Sequence, residues 1–246
     1  MKNVWIVGAT SDVALSTAEI LAAKGYNLIL GGRRMDTLTA KATELAQKYP
    51  IQAVAQPFDG LDYASHKESV EKAVATFGSL DGVIVAHGYL GDQKKGEQDW
   101  EEAERILHTN FTSKVSVLNH VANYMEKQKA GWICAITSVA GDRGRQSNFL
   151  YGSSKGAASL YLQGLRNRLA KSGVHVVTVK PGFIATKMTK DLDLKGPLVA
   201  TPEQVAKVMV SAIEGKKNVV YAPWFWRGIM RVVKTIPEFI FKKMSM

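Results

Sequence analysis

Short apolar runs alternate with longer stretches of helical periodicity along nearly the whole chain. Residues 4–7, 27–30, 53–58, 80–86, 132–137, 174–179 and 218–222 are compact apolar segments with a β-branched bias, the pattern of strands buried on both faces. Between them, residues 13–24, 35–49, 100–118, a segment carrying Tyr151 to about 171, and 202–214 repeat their apolar positions at three and four, as helices do. Turn chemistry punctuates the alternation. Gly25 and Gly173 stand where helices end, and Thr201-Pro202 supplies an N-cap followed by proline at the first helical position. Strand and helix in regular succession predict an α/β fold, a doubly wound and mostly parallel sheet in one domain.

Length and charge refine this picture. A chain of 246 residues buries a substantial core and needs only one such domain, assigned to residues 1–222. The single cysteine, Cys134, falls inside an apolar run without a disulfide partner, which suits a reducing compartment. The apolar start of the chain is shorter than a signal peptide and runs straight into a glycine turn, so a cytoplasmic protein is expected. No run approaches the ~18 apolar residues of a spanning helix. The formal charge of +10 is uneven: from Lys216 onward seven cations stand against Glu238 alone. A charge concentrated at one end points to a local anionic partner and away from a nucleic-acid coat, for which no module is recognisable.

Candidate chemistry lies at the ends of the strands. After the first, Gly8-Ala9-Thr10-Ser11-Asp12-Val13-Ala14 forms a strand–turn–helix junction, whose backbone N–H groups and helix N-terminus suit a pyrophosphate. After the second, Gly32 stands where an acid would select the ribose of NAD(H), and Arg33 and Arg34 follow it. Arginine here pairs with a 2′-phosphate and favours NADP(H), with NAD(H) as the alternative. Tyr151 and Lys155, four apart, share one helical face, so a cation stands beside a phenol whose pKa it can lower. Ser138 ends the fifth run, thirteen residues before Tyr151, and can address the same substrate oxygen. Asn110, a poor helix former within a helical stretch, is either solvent-facing or placed for a purpose. These groups suit interconversion of a ketone and an alcohol.

In order and spacing, Asn110, Ser138, Tyr151 and Lys155 resemble the catalytic tetrad of the short-chain dehydrogenase/reductases, a resemblance that covers nearly the whole chain. It implies a seven-stranded Rossmann-type sheet, with Tyr151 giving the proton, Ser138 binding the developing alkoxide, Lys155 depressing the tyrosine pKa and holding the nicotinamide ribose, and Asn110 distorting its helix to anchor a water relay. It implies cofactor contacts from Gly8, Thr10, Ser11, Asp12 and Val13 in the first turn, and from Asp59 to the adenine. Ala86-His87-Gly88 would line the trough. Pro181, Gly182, Ile184 and Thr186 would hold the carboxamide, and 187–200 would form a substrate lid. A homo-oligomer is implied as well, and the stripe Ala158, Leu162, Leu165 and Leu169 is read as core or as subunit interface. The turn departs from the family pattern, because Asp12 and Ala14 stand where its second and third glycines would be.

Residues 223–246 interleave aromatic and aliphatic side chains with cations, as an amphipathic extension at an anionic membrane surface does. An oligomer interface or a substrate lid are the other readings. The tail, residues 88–93 and the altered glycine turn together resemble a branch that reduces the 2-keto group of polyprenyl-phosphoryl pentoses, which implies a lipid-linked substrate and a peripheral position at the inner face of a membrane. The alternatives are a reductase of another small or lipidic carbonyl, and a non-catalytic dinucleotide-binding scaffold or sensor.

Overall fold

The computed structural model describes residues 1–189 and 196–244. Six residues of the expected lid, 190–195, lie outside the described residues. Strands β1 (Asn3–Val7), β2 (Asn27–Gly32), β3 (Ala53–Pro57), β4 (Gly82–Val85), β5 (Trp132–Ile136) and β6 (His175–Pro181) form one sheet with Val219–Ala222, which is β9 once the two-residue strands β7 (Phe183–Ile184) and β8 (Val199–Ala200) are counted. The order is β3-β2-β1-β4-β5-β6-β9, and every pairing is parallel. The seven strands match the pattern of apolar runs.

The helices are α1 (Asp12–Ala23), α2 (Met35–Lys48), α3 (His66–Phe77), α4 (Gln93–Gly96), α5 (Trp100–Leu107), α6 (Ser113–Gln128), α7 (Phe149–Leu169), α8 (Pro202–Glu214), α9 (Trp226–Thr235) and α10 (Glu238–Phe241). They cover both faces of the sheet. Strand residues alternate between two cores, as a period of two demands: Val4 and Ile6 pack with α1, α2 and α8, whereas Trp5 and Val7 pack with α3, α6 and α7. Leu162, Leu165 and Leu169 of α7 belong to the second core, so the stripe read as core or interface is core. Thr201 caps α8 reciprocally with Gln204.

Two stretches gain detail. The helical stretch 100–118 is α5, then a π-helical turn at His108–Thr112, then α6, which runs on to Gln128. The tail is packed onto the body: Trp226, Met230, Val233 and Phe241 enclose a third apolar cluster with Val139. Each such buried side chain contributes about 1.5–3 kcal/mol.

Candidate active site

Reversal of strand order between β1 and β4 opens a crevice at their carboxyl ends. There Gly8 (φ +78°) approaches the β4 turn so closely that a Cβ would lie 2.5 Å from the His87 nitrogen. A cleft of about 460 Å³ runs along these strand ends. Every candidate named from the sequence lines it except Asn110, which is fully buried behind it.

At one end are the first turn, Arg33 and Arg34, and Asp59. Ser11 caps α1 by accepting the Ala14 N–H at 3.2 Å. The Asp12 carboxylate accepts the Lys187 N–H at 2.8 Å, tying the first turn to the segment after β7. An acid in place of a glycine thus has a main-chain donor of its own.

At the other end stand Ser138, Tyr151 and Lys155. Ser138 leaves β5 in extended conformation and accepts the Ala140 N–H at 3.1 Å. The first turn of α7 is anchored by Gln93, whose side-chain oxygen accepts the Leu150 N–H at 3.0 Å, and this fixes Tyr151 one residue on. The Lys155 Nζ lies 5.3 Å from the Tyr151 ring centroid. Burial pushes the Tyr151 phenol up to about 12, with the Ser138 hydroxyl that hydrogen-bonds it pulling the other way. Burial also brings Lys155 down to about 8. The sequence predicts a depressed tyrosine; in this pocket desolvation is the dominant influence and drives both groups toward neutrality.

Asn110 sits inside the π-helical turn and is spent on backbone. Its Nδ2 donates to the Tyr89 oxygen at 2.6 Å and the Ile106 oxygen at 3.0 Å, and its Oδ1 accepts the Tyr89 N–H at 3.0 Å. The π-helical turn frees it from the α-helical ladder and turns it toward the loop after β4. Gly88 lies between the key groups: a Cβ there would be 3.0 Å from Asn110 Oδ1 and 3.1 Å from Lys155 Nζ. His87 is partly buried in the cleft wall, its Nε2 is 2.8 Å from the Ser113 hydroxyl, and desolvation next to Lys114 and Lys155 holds its pKa well below 6.5. It is a neutral wall of the cleft.

Sequence reading missed Lys114, which is buried and donates to the His87 oxygen at 2.7 Å; burial and the Lys155 charge keep its pKa well below 10.5. Its only signal was its place four residues after Asn110, on the same helical face. Arg105, which the sequence reading did not single out, also borders the cleft and lies over the Tyr89 ring at 4.5 Å. Among the described residues no group of acids, histidines or cysteines could hold a metal ion.

A family model described as short chain dehydrogenase matches residues 2–196. An uncharacterised oxidoreductase of Mycobacterium tuberculosis is 34% identical over 241 residues, covering 98% of this chain and 96% of its own. Another from Streptomyces coelicolor is 32% identical over 245 residues, covering 99% and 96%. Among solved structures, a short-chain dehydrogenase from Sphingobium yanoikuyae in complex with NADPH superposes with a TM-score of 0.82 at 21% identity, covering 99% of this chain and 96% of the other. An alcohol dehydrogenase from Thermococcus sibiricus complexed with 5-hydroxy-NADP gives 0.78 at 23%, covering 90% and 95%. The chain belongs to the short-chain dehydrogenase family and is by that membership an NAD(P)-dependent oxidoreductase.

Proposed function

We propose that the protein reduces a ketone to a secondary alcohol with NADPH, the reverse reaction being the oxidation. One observation carries this: Tyr151, Ser138 and Lys155 converge at one end of a cleft whose other end is a glycine turn at a helix N-terminus. The cleft suits a dinucleotide because it is lined by the first glycine turn, Arg33, Arg34, Asp59 and the Ala86-His87-Gly88 turn, which Gly8 and Gly88 allow to approach closely where a Cβ would crowd the neighbouring protein atoms. When bound, the dinucleotide supplies a hydride. Gly8, Thr10, Ser11, Asp12 and Val13 would hold its pyrophosphate side, Arg33 and Arg34 a 2′-phosphate, Asp59 the adenine, and Pro181, Gly182, Ile184 and Thr186 the carboxamide. Tyr151 gives its proton to the substrate oxygen, Ser138 donates a hydrogen bond to the same atom, and Lys155 stabilises the tyrosinate left behind. Asn110 keeps the loop beside Lys155 in place. The NADP preference is supported by the two arginines, by the absence of an acid at Gly32, and by the NADPH and 5-hydroxy-NADP named with the two solved neighbours.

The pH dependence follows from Lys155. Held at about 8, it is cationic below that pH and neutral above it, so its support for the tyrosinate is lost as pH rises through this value. Tyr151, at about 12, keeps its proton throughout. Reductive kcat/KM should therefore fall about tenfold per pH unit above about 8; a profile flat to pH 10 would remove Lys155 from this role.

For the substrate we read a lipid-linked ketone, the keto group of a polyprenyl-phosphoryl pentose, reached from the cytoplasmic face of a membrane by a homo-oligomeric enzyme. Another small or lipidic carbonyl is the alternative. Support comes from the outer surface of the extension 223–246: Trp224, Arg227, Arg231, Val232, Lys234, Phe239 and Ile240 are all exposed around the buried Trp226, Met230 and Val233. Among the described residues no helix is long and apolar enough to cross a membrane. The test is NADPH and NADH turnover with a ketone panel that includes a lipid-phosphate-linked keto sugar, with and without phosphatidylglycerol vesicles. Replacing Arg227, Arg231 and Lys234 together by Glu should weaken vesicle binding about 100-fold, at about 1 kcal/mol per cation, and leave turnover of a soluble ketone unchanged. Equal vesicle binding by both forms would rule out the membrane reading. No turnover of any ketone would rule out the reductase.

A further inference from the structure

Arg143 directly follows the 3₁₀ turn Val139–Asp142, five residues after Ser138, yet its side chain runs into the C-terminal unit. Its guanidinium donates to the Val233 and Ile236 carbonyl oxygens, both at 2.6 Å, and to the Glu238 carboxylate at 2.9 Å, and lies 3.7 Å from the Phe241 ring centroid. The two carbonyls belong to the end of α9, where main-chain acceptors lack intrahelical donors and a cation is favoured. A planar fork that also stacks on an aromatic ring meets all of these partners; an ammonium group cannot.

The same turn is held from its other side. Asp142 pairs with Lys180 of β6 and accepts the Tyr221 hydroxyl of β9 at 2.6 Å. Val139, next to Ser138, packs into the cluster of Trp226, Met230, Val233 and Phe241. The extension also backs the second wall of the cleft: a Cβ on Gly182 would lie 1.9 Å from Trp226 Nε1, and Phe183 meets that indole edge-on at 5.5 Å. No described residue beyond Thr189 lines the cleft itself. The unit touches the back of the segments that carry the site and is separated from the space where the substrate would sit.

We propose that Arg143 is a positioning residue: by fastening the end of α9 to the turn after Ser138, it sets the Ser138 hydroxyl against Tyr151, so the C-terminal unit governs the reduction without contacting the substrate. This rests on the reductase reading and assigns it a residue outside the tetrad. A small displacement of Ser138 suffices, since a shift of about 1 Å in a catalytic group can cost roughly 100-fold in rate.

The experiment compares full-length Arg143→Ala, Arg143→Lys and Glu238→Gln with the wild type in kcat, KM, NADPH affinity, melting temperature and amide exchange over residues 138–145. Arg143→Ala should lower kcat about 10- to 100-fold, with KM and NADPH affinity within about twofold, and the Ala140 amide, held by Ser138 Oγ, should exchange faster. Arg143→Lys should recover little of the loss, whereas millimolar guanidinium should restore part of kcat in Arg143→Ala. Glu238→Gln, which removes only an exposed partner, should stay near wild type. A kcat within twofold of wild type in a folded Arg143→Ala overturns the proposal, as does a loss shared equally with NADPH binding. If the alanine variant does not fold, Arg143→Lys decides, and wild-type kcat there is equally fatal. Should the wild type reduce no ketone, the reductase reading fails by itself, and exchange at Ala140 still tells whether Arg143 holds the Ser138 turn.

Discussion

Tyr151→Phe should abolish turnover, with kcat falling about 1,000-fold or more while NADPH affinity stays within about twofold. The phenol supplies the proton across neutral pH, and Lys155, itself cationic below about 8, stabilises the tyrosinate that is left. With burial raising it to about 12, Tyr151 is protonated in the free enzyme, which is the state needed to donate to a substrate oxygen that gains negative charge. His87, the nearby alternative, is neutral and faces Ser113, and Lys114 is engaged with the His87 carbonyl. Phenylalanine preserves the ring under Lys155 and most of the packing, so loss of rate without loss of binding isolates the hydroxyl. Ser138→Ala should fall less, by about 100-fold, because it removes one hydrogen bond to the oxygen and leaves the donor in place. The measurement is steady-state kinetics beside NADPH fluorescence titration. Turnover by Tyr151→Phe within threefold of wild type would defeat the mechanism.

The sheet was legible in the chain because its strands are buried on both faces and read as unbroken apolar runs, and the Tyr151/Lys155 pairing was legible because a helical spacing of four dictates it. What escaped depends on contacts between distant residues. Asn110 could be recognised as out of place in a helix, but the π-helical turn around it answers to Tyr89 backbone in another loop. Nothing in the local pattern beyond its spacing from Asn110 singled out Lys114; it is buried because that face of α6 turns toward the β4 turn and the His87 carbonyl offers it an acceptor. The direction of the Asp12 side chain was undetermined until Lys187 came within reach. The amphipathic pattern of the extension could be seen, but its attachment could not, since the partners of Arg143 lie 90 or more residues further along. The direction of the tyrosine shift escaped for a related reason: spacing reports the neighbouring cation and says nothing of the desolvation that raises the phenol.

Replacing Gly8 by Ala should inactivate the enzyme through its fold as well as its cofactor site. At φ +78° an alanine meets the left-handed penalty of about 1–2 kcal/mol, and its methyl would stand 2.5 Å from the His87 nitrogen and 2.7 Å from its Cα. Those are main-chain atoms at the end of β4, hydrogen-bonded into the sheet through Ala86 N–H to the Val7 oxygen, so they cannot rotate aside as a side-chain tip would. Overpacking of this kind adds about 1–3 kcal/mol, and a total of about 3 kcal/mol corresponds to roughly 10 °C in melting temperature for a chain of this size. Any relief pushes β1 and β4 apart at the point where the strand order reverses, which moves the first turn and the Gly88 backbone away from the dinucleotide proposed to lie between them. NADPH affinity should fall at least about 100-fold, the order expected when several backbone hydrogen bonds to a charged group are lost. Gly25→Ala is the matched control: its φ is +80° but nothing lies within 4 Å of the new methyl, so it bears the backbone penalty alone, about 1–2 kcal/mol. Thermal melts and NADPH titration of the two variants separate the terms. Equal destabilisation by both, with NADPH binding intact in Gly8→Ala, would show that the β1 and β4 turns do not meet as closely as described and would remove the geometric basis for a dinucleotide at this crevice.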